Sequence, residues 1–310
     1  MRGKGIHYDT GTRMPEGLTR KTFDRDEVRR DMHVIAKELH CNAVRIAGSE
    51  LDRLAVASEE AAAAGLEVWL SPFPCDLARA ELLELFAECA SLAERLPAAA
   101  LITGGELSIF AQGFLPGANL FERIAALTPE NVADVPVRLN AFLGAVMDVV
   151  RPRFAGKVTY ASLPFERVDW TLFDYVGADA YRSALNAQTF RSEVRALHRF
   201  GLPVVVTEFG CCTFRGAAAY GARGWMIVDR DTWTIAGDRH RDEAEQAAYF
   251  RDLMEVFEET GVDTVFWFTY AGYRFTGDLD VASYGVVRLP DRQPKEVFRA
   301  IQLTYSDIGI

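Results

Sequence analysis

Pro203-Val204-Val205-Val206-Thr207 is apolar on both faces when extended, and Glu208-Phe209-Gly210 follows it directly. Strands of this kind belong in parallel sheets covered on both sides by helices. Seven further runs share the pattern and alternate with stretches of helical period, as βαβ units do. Before the valine run they are Gly5 to Gly11, Asn42 to Ile46, Glu67 to Pro72, Ala98 to Gly104, Lys157 to Ser162 and Tyr175 to Ala180; Asp263 to Phe268 follows it.

Helices are predicted over Asp24 to Leu39 with Asp24 as N-cap, and from the second strand to Ala64, where Gly65 stops the helix. Others are predicted over Ala78 to Leu96 and Val135 to Val150, with a short segment at Asp169 to Phe173. A last helix is predicted over Pro294 to Leu303, with Pro294 in its first turn, where the missing N–H is not needed. The pattern predicts an α/β protein, a (β/α)8 TIM barrel forming a single domain over residues 1–310. No low-complexity linker divides it, and no Gly-rich phosphate fingerprint follows the first strand to favour a doubly wound sheet.

In such a barrel the chemistry sits at the C-terminal ends of the strands. Strand four ends in Thr103-Gly104-Gly105-Glu106-Leu107-Ser108, and strand seven runs into Thr207-Glu208-Phe209-Gly210. A glutamate directly after an all-apolar central strand is costly to keep without a use. These residues resemble the clan A glycoside hydrolases, barrels with an acid/base glutamate after strand four and a nucleophilic glutamate after strand seven. The resemblance implies those roles for Glu106 and Glu208. It also implies an arginine near the nucleophile at Arg45, a tyrosine partner at Tyr181 and a sugar platform at Trp267. At strand four the sequence departs from the family, with Gly105 where the family has Asn immediately before its acid/base.

Glycoside hydrolysis needs one protonated carboxyl to assist the leaving group and one ionised carboxylate at the anomeric carbon, about 5 to 5.5 Å apart in retaining enzymes. The expected substrate is a small glycoside. Other candidate contacts are Asp9 on strand one, Tyr160 on strand five, Glu166 just beyond it, Asp179 after strand six, and Trp225. Glu166 could reach the pocket as a third carboxylate but reads more simply as a solvated loop charge; the alternative for Glu106 is a cap for a helix starting near Leu107. Residues 213–241 are too long for a simple connection and carry Arg215, Arg223, Trp225 and Trp233, which predicts a lid. Cys211 and Cys212 read either as reactive thiols or as small buried hydrophobes.

Two other functions remain open. His7 and Asp9 could serve a metal-assisted isomerase or lyase, although no HxH or HExxH spacing occurs. The barrel could also bind sugar without chemistry. With 44 acidic against 34 basic residues the net charge of −10 speaks against nucleic acid and anionic membrane as partners. The N-terminal sequence carries no apolar stretch of signal-peptide length, so a cytoplasmic location is expected, with no cofactor and no metal. Five cysteines, oddly spaced, predict free thiols.

Overall fold

A computed structural model describes residues 1–307. Eight parallel strands make one sheet: β1 (Gly3–Asp9), β2 (Ala43–Gly48), β3 (Glu67–Pro72), β4 (Ala98–Gly105), β5 (Lys157–Ala161), β6 (Val176–Asp179), β7 (Val204–Phe209) and β8 (Thr264–Trp267). Their order is β5-β4-β3-β2-β1-β8-β7-β6. The two end strands of that order meet through a parallel bridge between Ser162 and Ala178, with the Ser162 N–H on Gly177 O (3.2 Å) and the Asp179 N–H on Ser162 O (3.0 Å). The sheet is therefore a nearly closed (β/α)8 barrel. The principal helices are α1 (Arg25–Lys37), α2 (Leu51–Ala63), α3 (Arg79–Arg95), α4 (Val135–Val150), α5 (Phe190–Ala196), α6 (Glu243–Thr260) and α7 (Glu296–Asp307). Among the described residues no helix is long and apolar enough to cross a membrane.

By contact density the chain falls into two compact units. One comprises Asp9–Arg29 and Arg45–Asp179, with strands β3 to β6 and helices α2 to α4. Here β3 and α4 have the predicted bounds. Helix α2 ends as predicted, with Gly65 at φ +88° and its N–H on Ala62 O. The Asp24 carboxylate caps α1 by accepting the Glu27 N–H at 2.9 Å. Glu60 of α2 accepts from Arg25 Nε (2.6 Å) and Arg29 Nε (2.9 Å), and these bonds, that to Arg29 foremost, hold its carboxyl below the ordinary range. A depressed folded-state pKa adds stability above the unfolded value of about 4.3, and that stability is lost as pH falls through the folded value. Glu60→Gln is expected to cost about 1 kcal/mol at neutral pH. The gap to the parent should close in urea melts taken through the acid range; a gap constant with pH would contradict this.

The other unit comprises Met1–Tyr8, Arg30–Val44 and Ala180–Ile310. Strand β1 begins at Gly3, earlier than predicted, because Gly3 and Gly5 pair with Thr264 and Phe266. A Cβ at either glycine would lie about 2.5 Å from those side chains, so only glycine allows the approach. Strand β7 extends to Phe209, which pairs with Trp267, so Glu208 lies within the strand and not beyond it. Pro294 is not in the last helix. Gln293–Pro294 pairs antiparallel with Val287–Arg288, and α7 starts at Glu296. Residues 213–241 are a folded flap: a bridge between Phe214 and Arg241 closes it around two 3-10 turns and a two-residue hairpin.

Candidate active site

In the unit that holds β7 and β8, Phe209 and Trp267 are register partners and both pack on α6, with Phe209 to Phe257 at 5.0 Å and Trp267 to Phe250 at 5.6 Å. Successive strand residues point to opposite faces. Glu208 and Phe268 therefore face away from α6. Glu208 is 8% exposed, and Tyr181 Oη donates to its Oε2 at 3.1 Å. What brings Tyr181 there is the backbone: the Ala180 N–H bonds Glu208 O at 2.8 Å.

Trp267 does not suit the sugar platform expected of it. Its ring is wholly buried and its indole N–H bonds Tyr284 O at 3.2 Å, so no face is open. The half-buried ring beside it belongs to Phe268, which lies 4.7 Å from His7 and 5.6 Å from Tyr284; Tyr284 in turn meets Tyr181 edge-on at 6.2 Å. His7, Phe268 and Tyr284 thus join Glu208 and Tyr181, and the sequence reading missed Phe268 and Tyr284. Trp225 on the flap is half-buried, with the Arg274 guanidinium 5.7 Å from its ring and 5.6 Å from that of Trp233.

Cys211 and Cys212 are buried, and burial pushes both thiols well up. They stay protonated, Cys212 Sγ donating to Ala282 O, so the thiol-nucleophile reading fails and the packing reading stands. His7 Nδ1 lies 3.0 Å from Thr269 Oγ1, whose own hydrogen goes to His7 O at 2.9 Å. Nδ1 is therefore the donor.

In the unit that holds β4, Gly105 ends the strand and Glu106 turns left-handed, at φ 49° and ψ 37°. Its N–H bonds Ala161 O at 2.9 Å. It occupies the N-cap position of a short helix, Leu107–Phe110, but its side chain makes no capping bond, contrary to the plainer of its two readings. A Cβ on Gly105 would lie 3.2 Å from Ala161 Cβ and 3.3 Å from Arg45 Nη2. Arg45 is fully buried, bonding Ser71 Oγ through Nε at 3.1 Å, with Nη1 3.8 Å from Asp179 Oδ1. A side chain at this position would need Ala161 or the Arg45 guanidinium to give by a few tenths of an ångström. Phe73 and Phe110, half-exposed and edge-on at 4.8 Å, flank the same place and were not anticipated.

Glu166 is neither the solvated loop charge nor the third pocket carboxylate its sequence suggests. It is fully buried, and four donors surround it: Ser108 Oγ (2.6 Å), Tyr160 Oη (2.9 Å), the Leu163 N–H (2.9 Å) and the Ser108 N–H (3.1 Å). Burial, partly offset by these bonds, pushes its carboxyl up. Tyr160 is also wholly buried, its hydroxyl taking the Leu107 N–H at 2.7 Å. Asp9 closes a turn, accepting from the Gly11 N–H and Thr19 Oγ1, both at 2.8 Å, and burial pushes it up as well. Among the described residues no three His, Cys, Asp or Glu converge as a metal site. A cavity of about 540 Å³ between α2 and α3, lined by Asp52, Glu84, Glu88 and Arg95, includes none of the strand-end residues.

No family model matches the sequence, and comparison with curated proteins finds no match. Solved structures do match. The GH113 β-mannanase AaManA from Alicyclobacillus acidocaldarius, in complex with ManMIm, is 16% identical with a TM-score of 0.69 over 99% of this chain and 98% of that one. Endo-glycoceramidase II from Rhodococcus sp., in a cellobiose-like isofagomine complex, is 14% identical with a TM-score of 0.60 over 97% and 79%. A hyperthermophilic β-glucosidase from Pyrococcus furiosus is 9% identical with a TM-score of 0.61 over 100% and 96%. At these identities the likeness is one of fold, that of a (β/α)8 barrel.

Proposed function

We propose that this chain is a glycoside hydrolase that acts on a small glycoside with retention, Glu208 serving as nucleophile and Glu106 as acid/base. The observation that carries the reading is the Tyr181 hydrogen bond to Glu208. A carboxylate 8% exposed at the C-terminal end of a barrel strand, held in place by a phenol donor, is suited to attack an anomeric carbon. Glu106 stands at the end of β4 in a strained conformation, and its side chain is not used as a cap. Residues held in the left-handed region without a glycine cluster at working sites.

In the first step Glu208 would attack the anomeric carbon while Glu106 gives its proton to the departing oxygen; water then releases the sugar as Glu106 takes a proton back. The half-buried ring of Phe268 offers an apolar face for stacking on a pyranose. The flap at 213–241 would close over the substrate, with Trp225 touching it. The mannanase, glycoceramidase and glucosidase of like fold make β-linked mannosides and glucosides the first choice. With a net charge of −10, a neutral sugar suits better than an anionic one. The metal-assisted alternative is less well supported, because Asp9 gives both carboxylate oxygens to its own turn and His7 Nδ1 is taken by Thr269.

The test is a panel of aryl β-glycosides with the product anomer read by NMR. Turnover giving the β-anomer first supports the reading. Binding without turnover across the panel would make the chain a sugar-binding barrel, and α-anomer product would make it inverting.

A further inference from the structure

Resting on the acid/base role of Glu106, we propose that Glu166 is a positioning residue that, with Tyr160, caps the helix after Glu106 from a neighbouring strand, in place of the Glu106 side chain. A helix start leaves several N–H groups without partners inside the helix. Ordinarily the N-cap side chain takes one of them, and Glu106 holds that position. Here three successive N–H groups are accepted elsewhere: Glu106 by Ala161 O, Leu107 by Tyr160 Oη and Ser108 by Glu166 Oε1.

All three acceptors come from β5 and the turn just after it. Glu166 is the keystone, because the same oxygen that takes the Ser108 N–H also takes Ser108 Oγ and Tyr160 Oη, orienting the phenol toward Leu107. Its other oxygen takes the Leu163 N–H. The left-handed backbone at Glu106 is thus fixed from outside its own side chain. A buried carboxylate with four donors is an expensive way to secure a loop, and its position beneath the residue that must move a proton accounts for it.

Glu166→Gln keeps the volume but turns one acceptor oxygen into an amide donor, so at least one of the four bonds is lost. Misplacing a general acid hurts only reactions that need a proton, so the readout is leaving-group dependence. Two substrates of the sugar turned over fastest serve: its phenyl glycoside, a poor leaving group, and its 2,4-dinitrophenyl glycoside, which departs unaided. For Glu166→Gln we expect kcat on the phenyl glycoside to fall about 100-fold with KM nearly unchanged. Formation of the glycosyl-enzyme from the dinitrophenyl glycoside, followed by the dinitrophenolate burst, should change by no more than about threefold.

Ser108→Ala removes one bond to Glu166, and Tyr160→Phe removes two, to Leu107 N–H and to Glu166; they carry the test if Glu166→Gln does not fold, with smaller losses of the same selectivity. Equal losses on both substrates, or none, would overturn the proposal. Glu106→Ala, run in parallel, separates the two ways of failing. If it is selective and the Glu166 and Tyr160 variants are not, positioning by Glu166 is wrong. If Glu106→Ala itself shows no selectivity, the acid/base reading has failed and the proposal falls with it.

Discussion

Glu208→Gln lowers kcat on every glycoside the wild-type chain turns over by a factor on the order of 10⁴ to 10⁶, the scale seen when a covalent nucleophile is removed. The amide has the size of the carboxylate and still offers an oxygen to Tyr181 Oη, so that hydrogen bond is kept. The neighbouring backbone bond from Ala180 to Glu208 does not involve the side chain at all. Near-UV circular dichroism and the urea midpoint should therefore match those of the parent. Activity within tenfold of wild type would remove Glu208 from the mechanism, whereas loss of activity together with loss of structure would say only that a buried group had been disturbed.

Glu106→Ala is expected to show the second largest effect, about 10² to 10⁴ in kcat/KM on substrates with poor leaving groups. The substitution is clean for a structural reason. The Glu106 N–H keeps Ala161 O, the helix that follows keeps its bonds to Tyr160 and Glu166, and the side chain removed makes no capping bond. Alanine is no more strained than glutamate at φ 49°, so the backbone has no new reason to move. Steady-state rates across a series of aryl glycosides should show the loss growing as the leaving group worsens. A uniform loss across the series would mean that Glu106 binds sugar and does not transfer a proton.

Much of the barrel could be read from local pattern, because its strands are short β-branched runs and its helices carry ordinary stop signals. Glu67–Pro72 and Val135–Val150 have their predicted bounds for that reason. The errors lie where partners distant in sequence decide. Pro294 reads as a helix start, yet its segment pairs with Val287–Arg288, and a two-residue hairpin leaves almost no periodicity to detect. Trp267 ends a four-residue strand and Phe268 follows it, and so short a strand gives no alternation to say which aromatic faces α6. Pairing of Trp267 with Phe209, 58 positions earlier, decides it.

Glu166 shows the same limit more sharply. In Pro164-Phe165-Glu166-Arg167 nothing local distinguishes a surface charge from a buried one, since two of its four donors belong to Ser108, 58 residues away. Glu106 and Glu208 were found because each is a carboxylate at the end of an apolar strand, a contrast visible in one dimension. Phe73 and the Tyr160–Glu166 pair near Glu106, and Phe268 and Tyr284 near Glu208, carry no such contrast, and only the fold brings them to the strand ends.

The most direct measurement is the mass of the protein after incubation with a 2-deoxy-2-fluoro-β-glycosyl fluoride of the preferred sugar. Fluorine at C2 slows both formation and hydrolysis of a glycosyl-enzyme, while the fluoride leaving group keeps formation the faster step. The mass should rise by one fluoroglycosyl unit, with the label on the peptide containing Glu208. Label on another residue, or an unlabelled protein that still hydrolyses the parent glycoside, would contradict it.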